Sequence, residues 1–134
     1  MKQLSYDWPW KKSSPRLGFI GLGNMGTALA MRLVRQPLSV FDTDSSKGDV
    51  FAGVGVNVAG SLAELAINSD IIFTCLPTSA VTETVLFAQD GLLYHLSSNH
   101  IIVDMTSGDP TQSRDQARRL ADADVSFADA PVSG

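Results

Sequence analysis

The chain of 134 residues has few of the features that hold unusual folds together. Cys75 is the single cysteine, so no disulfide can form within the chain, and its apolar neighbours favour a buried thiol over a catalytic one. The two histidines, His95 and His100, have no partners at metal-ligand spacing, which argues against a metal site. No apolar run reaches the roughly 18 residues that a membrane helix needs. We therefore expect a fold held by packing alone, with no membrane partner.

Positive charge is also scarce. Ten Lys and Arg residues stand against 14 Asp and Glu, giving a formal net charge of -4. Nucleic-acid binding needs a basic face, so we expect no nucleic-acid partner and favour a small molecule instead. The hydrophobic fraction of 44% is that of one globular domain.

Residues 1–16 carry most of the lysines and both tryptophans but lack the continuous apolar core of a secretory signal. We interpret this stretch as a disordered tail, with a poor transit peptide as the alternative. The expected location is therefore the cytoplasm, and the mitochondrion is the alternative.

From residue 17 onward, short apolar runs alternate with amphipathic stretches, which is typical of an α/β fold with a doubly wound parallel sheet. The runs predict six strands, at 17–20, 38–41, 56–59, 71–75, 101–105 and 125–128. The intervening patterns predict helices at 24–35, 62–68, 80–88 and 111–121. Three glycines within 45–55 leave room for only a stub of helix, so we expect irregular structure there.

The first predicted strand runs directly into a G-x-G-x-x-G turn formed by Gly21, Gly23 and Gly26. This context of strand, turn and helix predicts a dinucleotide-binding turn of the Rossmann type, with the pyrophosphate on the helix N-terminus. Asp42 ends the second strand about 20 residues later, where a carboxylate can bind the adenosine ribose hydroxyls. Because that carboxylate would repel a 2'-phosphate, the pattern indicates NAD, with NADP as the alternative.

Simpler interpretations of these residues stay open. The glycines could serve packing only, and Asp42 could merely cap the turn that follows it. Asp44, two residues further on, could compete with Asp42 for the ribose.

Four stretches together resemble the β-hydroxyacid dehydrogenases, the family of 3-hydroxyisobutyrate dehydrogenase and its more distant relatives, the 6-phosphogluconate dehydrogenases. The resemblance covers residues 17–134, which correspond to the N-terminal NAD(P)-binding domain of that family. The stretches are GFIGLGNMG at 18–26, CLPTS at 75–79, DMTSGDP at 104–110 and DAPVSG at 129–134.

The resemblance implies roles for individual residues. Leu22, Asn24 and Met25 would contact the cofactor within the glycine-rich turn, as would Leu76 and Pro77 at the end of the fourth predicted strand. Thr106 and Ser107 occupy the place of a Ser-Thr pair in inverted order. We assign Thr106 to the substrate and Ser107 to the nicotinamide side, with helix capping before Pro110 as the alternative. Ser133 and Gly134 match the start of the substrate-binding loop.

In the family, a helical second domain follows and carries the lysine that acts as general acid/base. No such segment occurs in these 134 residues, and we assign no catalytic residue. Proton transfer from a placed side chain is worth typically 100- to 10,000-fold in rate. We therefore expect the chain alone to be slow or inert, with a hydroxyacid substrate bound only if a second domain is supplied. The alternative is a non-catalytic NAD-binding module or a truncated product without activity of its own, and an oligomer stays open.

Overall fold

The computed structural model describes residues 14–132. Within them, six parallel strands form one sheet in the order β3-β2-β1-β4-β5-β6, which confirms the predicted doubly wound fold. The strands are β1 (Leu17–Ile20), β2 (Leu38–Phe41), β3 (Asn57–Val58), β4 (Ile71–Thr74), β5 (Ile101–Asp104) and β6 (Ser126–Asp129). The strand order reverses between β1 and β4, and ligands of open α/β sheets bind outside the carboxyl ends of the strands at such a point.

Five α-helices connect the strands: α1 (Asn24–Met31), α2 (Asp49–Ala52), α3 (Leu62–Ile67), α4 (Ser79–Phe87) and α5 (Pro110–Asp122). Two short 3-10 helices, Ser45–Gly48 and Leu92–His95, complete the fold. The stretch at 45–55 thus holds two short helical segments, and the segment at 92–95 had no counterpart among the predicted helices. None of the helices in this part of the chain is long and apolar enough to cross a membrane.

The core lies on both faces of the sheet. Phe19 and Ile20 are consecutive in β1, so their side chains point to opposite faces, and each is almost completely buried. Phe19 packs in a cluster with Val40 and Phe51, whereas Ile20 packs with Leu65 and Ile72, among others. Burial on both faces explains why these strands appear in the sequence as continuous apolar runs.

The predicted end of the first helix was wrong by four residues. The α-helix ends at Met31, and the chain tightens into turns in which Arg32 and Leu33 donate to the carbonyls of Leu29 and Ala30. Pro37 does not account for this earlier end, because a proline disfavours the helical conformation only of the residue before it, Gln36. The other predicted strands and helices agree with their bounds to within one residue at each end, and β3 keeps two of its four predicted residues.

The strands begin at the amino edge of the sheet, where Arg16 and Asp70 join β1 to β4. The Asp70 carboxylate accepts hydrogen bonds from the Arg16 backbone N–H (2.8 Å), Nε (3.3 Å) and Nη2 (3.1 Å). The Asp70 backbone N–H donates in return to the Arg16 carbonyl (2.7 Å), and its carbonyl accepts from Ile101 (3.0 Å). His100 closes the same edge, with its Nε2 2.9 Å from the Ala66 carbonyl oxygen.

Candidate functional site

The glycine-rich turn lies at the carboxyl end of β1, where the sheet order reverses. Gly21 has a φ of 101°, a left-handed conformation that favours glycine, and a Cβ there would collide with the Cys75 carbonyl oxygen. At Gly26 a Cβ would collide with the Gly21 carbonyl oxygen. These contacts bring α1 close to the end of β1 and press the turn against the segment that follows β4. A packing role for both glycines is therefore evident.

Gly23 is different, because a Cβ there would meet no protein atom within 4 Å. It is the N-cap of α1 and makes no side-chain cap hydrogen bond, and the first turn of α1 carries no acidic residue. The N–H groups that a helix leaves unpaired at its N-terminus thus lie beside Gly23 without a carboxylate from the first turn of α1. Such a terminus favours an anionic group such as a phosphate.

Asp42 lies just beyond β2 and reaches across to the glycine-rich turn. Its Oδ2 accepts from the Leu22 backbone N–H (2.8 Å), and its Oδ1 accepts from the Asp44 backbone N–H (2.8 Å). Asp42 therefore does cap the turn that follows it. A carboxylate has about four lone-pair sites, so these two bonds leave acceptor capacity for ribose hydroxyls. Asp44 instead binds Ser46 through the backbone N–H and the hydroxyl, and these hydrogen bonds lower the pKa of Asp44.

These elements enclose a cavity of about 420 Å³ at the carboxyl edge of β1, β2 and β4. Eight of the predicted cofactor residues line it: Gly21, Gly23, Asn24, Met25, Gly26, Asp42, Leu76 and Pro77. The Leu22 side chain is instead buried in the core, and only its backbone N–H faces Asp42. A second cavity of about 300 Å³ shares Asp42 and extends toward β3.

Lys47 is a cavity-lining residue that sequence reasoning missed as a site residue. It belongs to the 3-10 helix after β2 and lines the same cavity as Asp42 and Thr43. Its position five residues after Asp42 was the available signal, because the turn after the second strand is where the adenosine ribose is recognised. One anionic and one cationic side chain therefore flank this end of the cavity.

The loop after β5 approaches the same edge but does not line the cavity. Thr106 is 3% exposed, and its Oγ1 accepts from the Leu76 backbone N–H (3.0 Å). Ser107 is exposed, and its hydroxyl donates to the Val132 carbonyl. The capping alternative for this pair was wrong, because the N-cap of α5 is Asp109, whose carboxylate accepts from the Thr111 N–H (2.9 Å). The assignments of Thr106 to substrate and of Ser107 to nicotinamide stay predictions.

Two ionisable groups near this edge have raised pKa values. Burial raises the pKa of the Cys75 thiol, and the nearby Asp104 raises it further. The same two causes, in the same order, raise the pKa of Asp129. A thiol with a raised pKa is a poor nucleophile at neutral pH. Among residues 14–132, no cluster of three or more His, Cys, Asp or Glu side chains is arranged to hold a metal ion.

The comparisons with known proteins agree with this geometry. The sequence pattern of the family described as the NAD binding domain of 6-phosphogluconate dehydrogenase matches residues 16–134. The chain belongs to this family. Among curated relatives, a 2-(hydroxymethyl)glutarate dehydrogenase from Eubacterium barkeri is 36% identical over 125 residues, which are 92% of this chain and 42% of the relative. The mitochondrial 3-hydroxyisobutyrate dehydrogenase of Mus musculus is 36% identical over 124 residues, 91% of this chain and 37% of that protein.

Solved structures of similar fold contain nicotinamide cofactors. A complex of Psf3 with NADP+ and 2-OPP matches with a TM-score of 0.84 at 30% identity, covering 88% of this chain and 43% of that one. An imine reductase from Myxococcus stipitatus in complex with NADP+ matches with a TM-score of 0.78 at 26% identity, covering 86% and 40%. A variant of that reductase was solved with NAD+.

Family membership makes this chain an NAD(P)-binding domain, as the glycine-rich turn and the four resembling stretches predicted. The chain spans about two fifths of the length of the dehydrogenases it matches. Two predicted substrate residues, Ser133 and Gly134, lie outside the described residues, as does most of the predicted tail at 1–16.

Proposed function

We propose that this domain binds NAD at the carboxyl edge of the sheet and presents it for hydride transfer to or from a β-hydroxyacid. One observation carries the proposal: the unobstructed N-terminus of α1, Gly23 and the Asp42 carboxylate surround a single cavity at the point where the strand order reverses. In this arrangement the pyrophosphate lies against Gly23 and the start of α1, and the adenosine ribose lies against Asp42.

The preference for NAD rests on Asp42, and Lys47 opposes it. A carboxylate accepts hydrogen bonds from both ribose hydroxyls but repels a 2'-phosphate, whereas a lysine beside it attracts that phosphate. Asp42 is held by two backbone N–H groups, while Lys47 is exposed. The fixed carboxylate therefore outweighs the solvated ammonium group in our proposal, because screening by water and salt weakens an exposed charge.

Fluorescence titration with NADH and NADPH tests the preference. We expect the unmodified chain to bind NADH more tightly, Asp42→Asn to reduce the difference by about tenfold, and Lys47→Gln to weaken NADPH binding alone. Tighter binding of NADPH by the unmodified chain would contradict the NAD assignment. Failure to bind either dinucleotide would contradict the proposed site.

The substrate and reaction class come from the relatives, which include dehydrogenases of 2-(hydroxymethyl)glutarate and 3-hydroxyisobutyrate. We propose that hydride passes between the hydroxyl-bearing carbon and the nicotinamide, while a base takes or returns the hydroxyl proton. Ser107 is the candidate on the nicotinamide side, and Ser133 and Gly134 are candidates for the substrate. Within residues 14–132, Lys47 is the only lysine, and it lies with Asp42 at the adenosine end.

That position of Lys47 favours a second candidate function, a domain that binds NAD without catalysing by itself. The two functions differ in one assay, the formation of NADH from NAD in the presence of 3-hydroxyisobutyrate. Measurable turnover by this chain would exclude the non-catalytic module. Tight NADH binding without turnover would support it, or would place the proton-transfer group on another part of the enzyme.

We propose a cytoplasmic location. The alternative is the mitochondrion, where the similar 3-hydroxyisobutyrate dehydrogenase of Mus musculus is found. Cell fractionation separates the two. An oligomer, and the lack of nucleic-acid and membrane partners, likewise stay predictions from the resemblance and the composition.

A further inference from the structure

Behind the cofactor cavity, buried hydroxyl and carboxyl groups join the carboxyl ends of β4 and β5 to the first turn of α4. Thr74, Thr82, Asp104 and Thr106 are each 3% exposed or less. Oδ1 of Asp104 accepts from the Thr74 hydroxyl (2.9 Å) and from the Thr106 backbone N–H (3.0 Å). The Thr106 hydroxyl lies 3.2 Å from that of Thr82. We name these four residues the polar network.

The polar network determines the position of Leu76. The backbone N–H of Cys75 still donates to the Ile20 carbonyl as part of the sheet (2.9 Å), whereas the next N–H, of Leu76, donates to the Thr106 hydroxyl (3.0 Å). Beyond the end of β4, the sheet no longer supplies an acceptor for the backbone N–H of Leu76. The Thr106 side chain, from the loop after β5, supplies that acceptor instead. Leaving this partly buried N–H without a partner would cost free energy, so the hydroxyl fixes where the turn begins.

The position of Leu76 in turn affects the glycine-rich turn. A Cβ placed on Gly21 would lie 3.0 Å from Leu76 Cδ2 and would collide with the Cys75 carbonyl oxygen, so the two turns are in direct contact. Both line the cavity of about 420 Å³. Moving Leu76 would therefore change the width of the cavity beside Gly21, and binding geometry is sensitive to errors of about 1 Å.

We infer that Thr106 is a positioning residue: Asp104 holds its backbone N–H and Thr82 bonds to its hydroxyl, so that the hydroxyl fixes the Leu76–Pro77 turn against Gly21 and thereby sets the affinity for the dinucleotide. This inference rests on the proposed cofactor placement. It gives Thr106 a different role from substrate binding, because the hydroxyl is buried and already bonded within the protein. Ser107 is the hydroxyl of the pair that is exposed to solvent.

The test compares Thr106→Val, which replaces the hydroxyl with a methyl group, with Thr106→Ser, which keeps the hydroxyl. We expect Thr106→Val to weaken NADH binding about tenfold and Thr106→Ser to stay within about twofold of the unmodified chain. The matched control is Thr84→Val on α4, an exposed threonine whose hydroxyl bonds only to the Ala80 carbonyl one turn before it. We expect no change in NADH affinity for this control.

Hydrogen exchange measured by NMR separates positioning from a general loss of stability. In Thr106→Val the Leu76 N–H should lose its protection while the adjacent Cys75 N–H, bonded to Ile20, keeps it. Equal loss at both amides would show a merely structural role and overturn the inference. So would unchanged NADH affinity in Thr106→Val, which is the result expected of a substrate ligand, or an equally weak Thr106→Ser.

Two further outcomes keep the test decisive. If Thr106→Val does not fold, Thr82→Val removes the neighbouring hydroxyl, and we expect it to weaken NADH binding by a smaller factor; unchanged affinity would overturn the inference. If the unmodified chain does not bind NADH, the proposed cofactor placement fails, and the inference fails with it. Binding by the unmodified chain and equally by Thr106→Val refutes the inference alone.

Discussion

The two edges of the same sheet are built in opposite ways. At the amino edge, Arg16 and Asp70 join β1 and β4 through backbone and side-chain hydrogen bonds, so the polar groups there bond to one another. At the carboxyl edge of the same two strands, Gly21 and Leu76 border a cavity, and the N-terminus of α1 has no side-chain cap. The comparison separates stability from binding: the polar groups of the amino edge bond to one another, whereas the carboxyl edge leaves the N-terminus of α1 open to a ligand, although its other polar groups are bonded within the protein.

The charges of Arg16 and Asp70 stabilise the amino edge in addition to the hydrogen bonds between them. Burial alone would raise the pKa of Asp70, but the hydrogen bonds and the charge of Arg16 outweigh it and hold the pKa below its usual value. The Asp70 side chain is 11% exposed, whereas that of Arg16 is 51% exposed, so the pair is only partly shielded from solvent. We therefore expect a contribution to stability larger than that of a surface ion pair but short of a buried one.

The largest expected effect comes from Gly26→Ala at the carboxyl edge. The new Cβ would collide with the Gly21 backbone carbonyl, so α1 must move away from β1. Such overpacking costs about 1–3 kcal/mol, and the better helix propensity of alanine, about 1 kcal/mol, offsets only part of it. We expect a lower melting temperature and NADH binding weakened about 100-fold or more. A protein with unchanged stability and affinity would contradict the close packing of turn and helix.

Gly23→Ala separates binding from stability at the same turn. Its Cβ would meet no protein atom within 4 Å, so the free protein should melt at an unchanged temperature. The methyl group would nevertheless stand where we place the pyrophosphate, and we expect NADH binding to weaken about tenfold. Calorimetry with and without NADH measures both quantities. Unchanged affinity would remove Gly23 from the proposed site.

Asp70→Asn tests the amino edge. Loss of the charged hydrogen bonds from Arg16 should lower the free energy of unfolding by about 1–2 kcal/mol at neutral pH and leave NADH affinity within about twofold. Because the folded pKa lies below the unfolded one, the stabilisation is present above about pH 4 and is lost as the pH falls through the folded value. Urea unfolding at a series of pH values measures this difference.

The exposed residue Asp122 provides the matched control, since Asp122→Asn should change stability by less than about 0.5 kcal/mol. The difference in the free energy of unfolding between the unmodified chain and Asp70→Asn should shrink at acid pH. If it stays the same, charge is not its cause. A large loss of NADH affinity in Asp70→Asn would show that the two edges are coupled.

The smallest expected effect concerns Asp124, between α5 and β6. Its φ is 60°, a left-handed conformation that favours glycine. Asp124→Gly removes the steric strain of this conformation, but glycine also loses more chain entropy on folding. We expect the first effect to be larger, so that the variant is more stable by about 0.5–1 kcal/mol. Asp122→Gly, at the last residue of α5, should destabilise it instead. Thermal unfolding distinguishes the two, and destabilisation by both variants would contradict the argument.

The sequence predicted the carboxyl edge far better than the amino edge, and the reason is the range of the interactions. Gly21, Gly23, Gly26 and Asp42 belong to a pattern of fixed spacing in which local backbone geometry dictates residue type. Ser61 illustrates the same locality: as the N-cap of α3, its hydroxyl accepts from the Glu64 backbone N–H, and the Glu64 carboxylate accepts from the Gly60 backbone N–H.

The features that sequence reasoning missed join distant parts of the chain. Arg16 and Asp70 are 54 residues apart, and Thr106 and Leu76 are 30 apart. Neither pair follows a periodic pattern, because the sheet order, not the chain order, brings its members together. The helical segment Leu92–His95 was missed for a different reason, since a single 3-10 turn is too short to show a hydrophobic period.

Backbone amide shifts in an NMR titration with NADH test the central comparison most directly, because they report on both edges in one experiment. We expect the largest changes at the carboxyl edge, in the glycine-rich turn 21–26 and at Asp42 and Leu76, while the amides of Asp70 and His100 stay unchanged. Changes concentrated at Asp70 and His100, or the absence of saturable changes anywhere, would contradict this expectation.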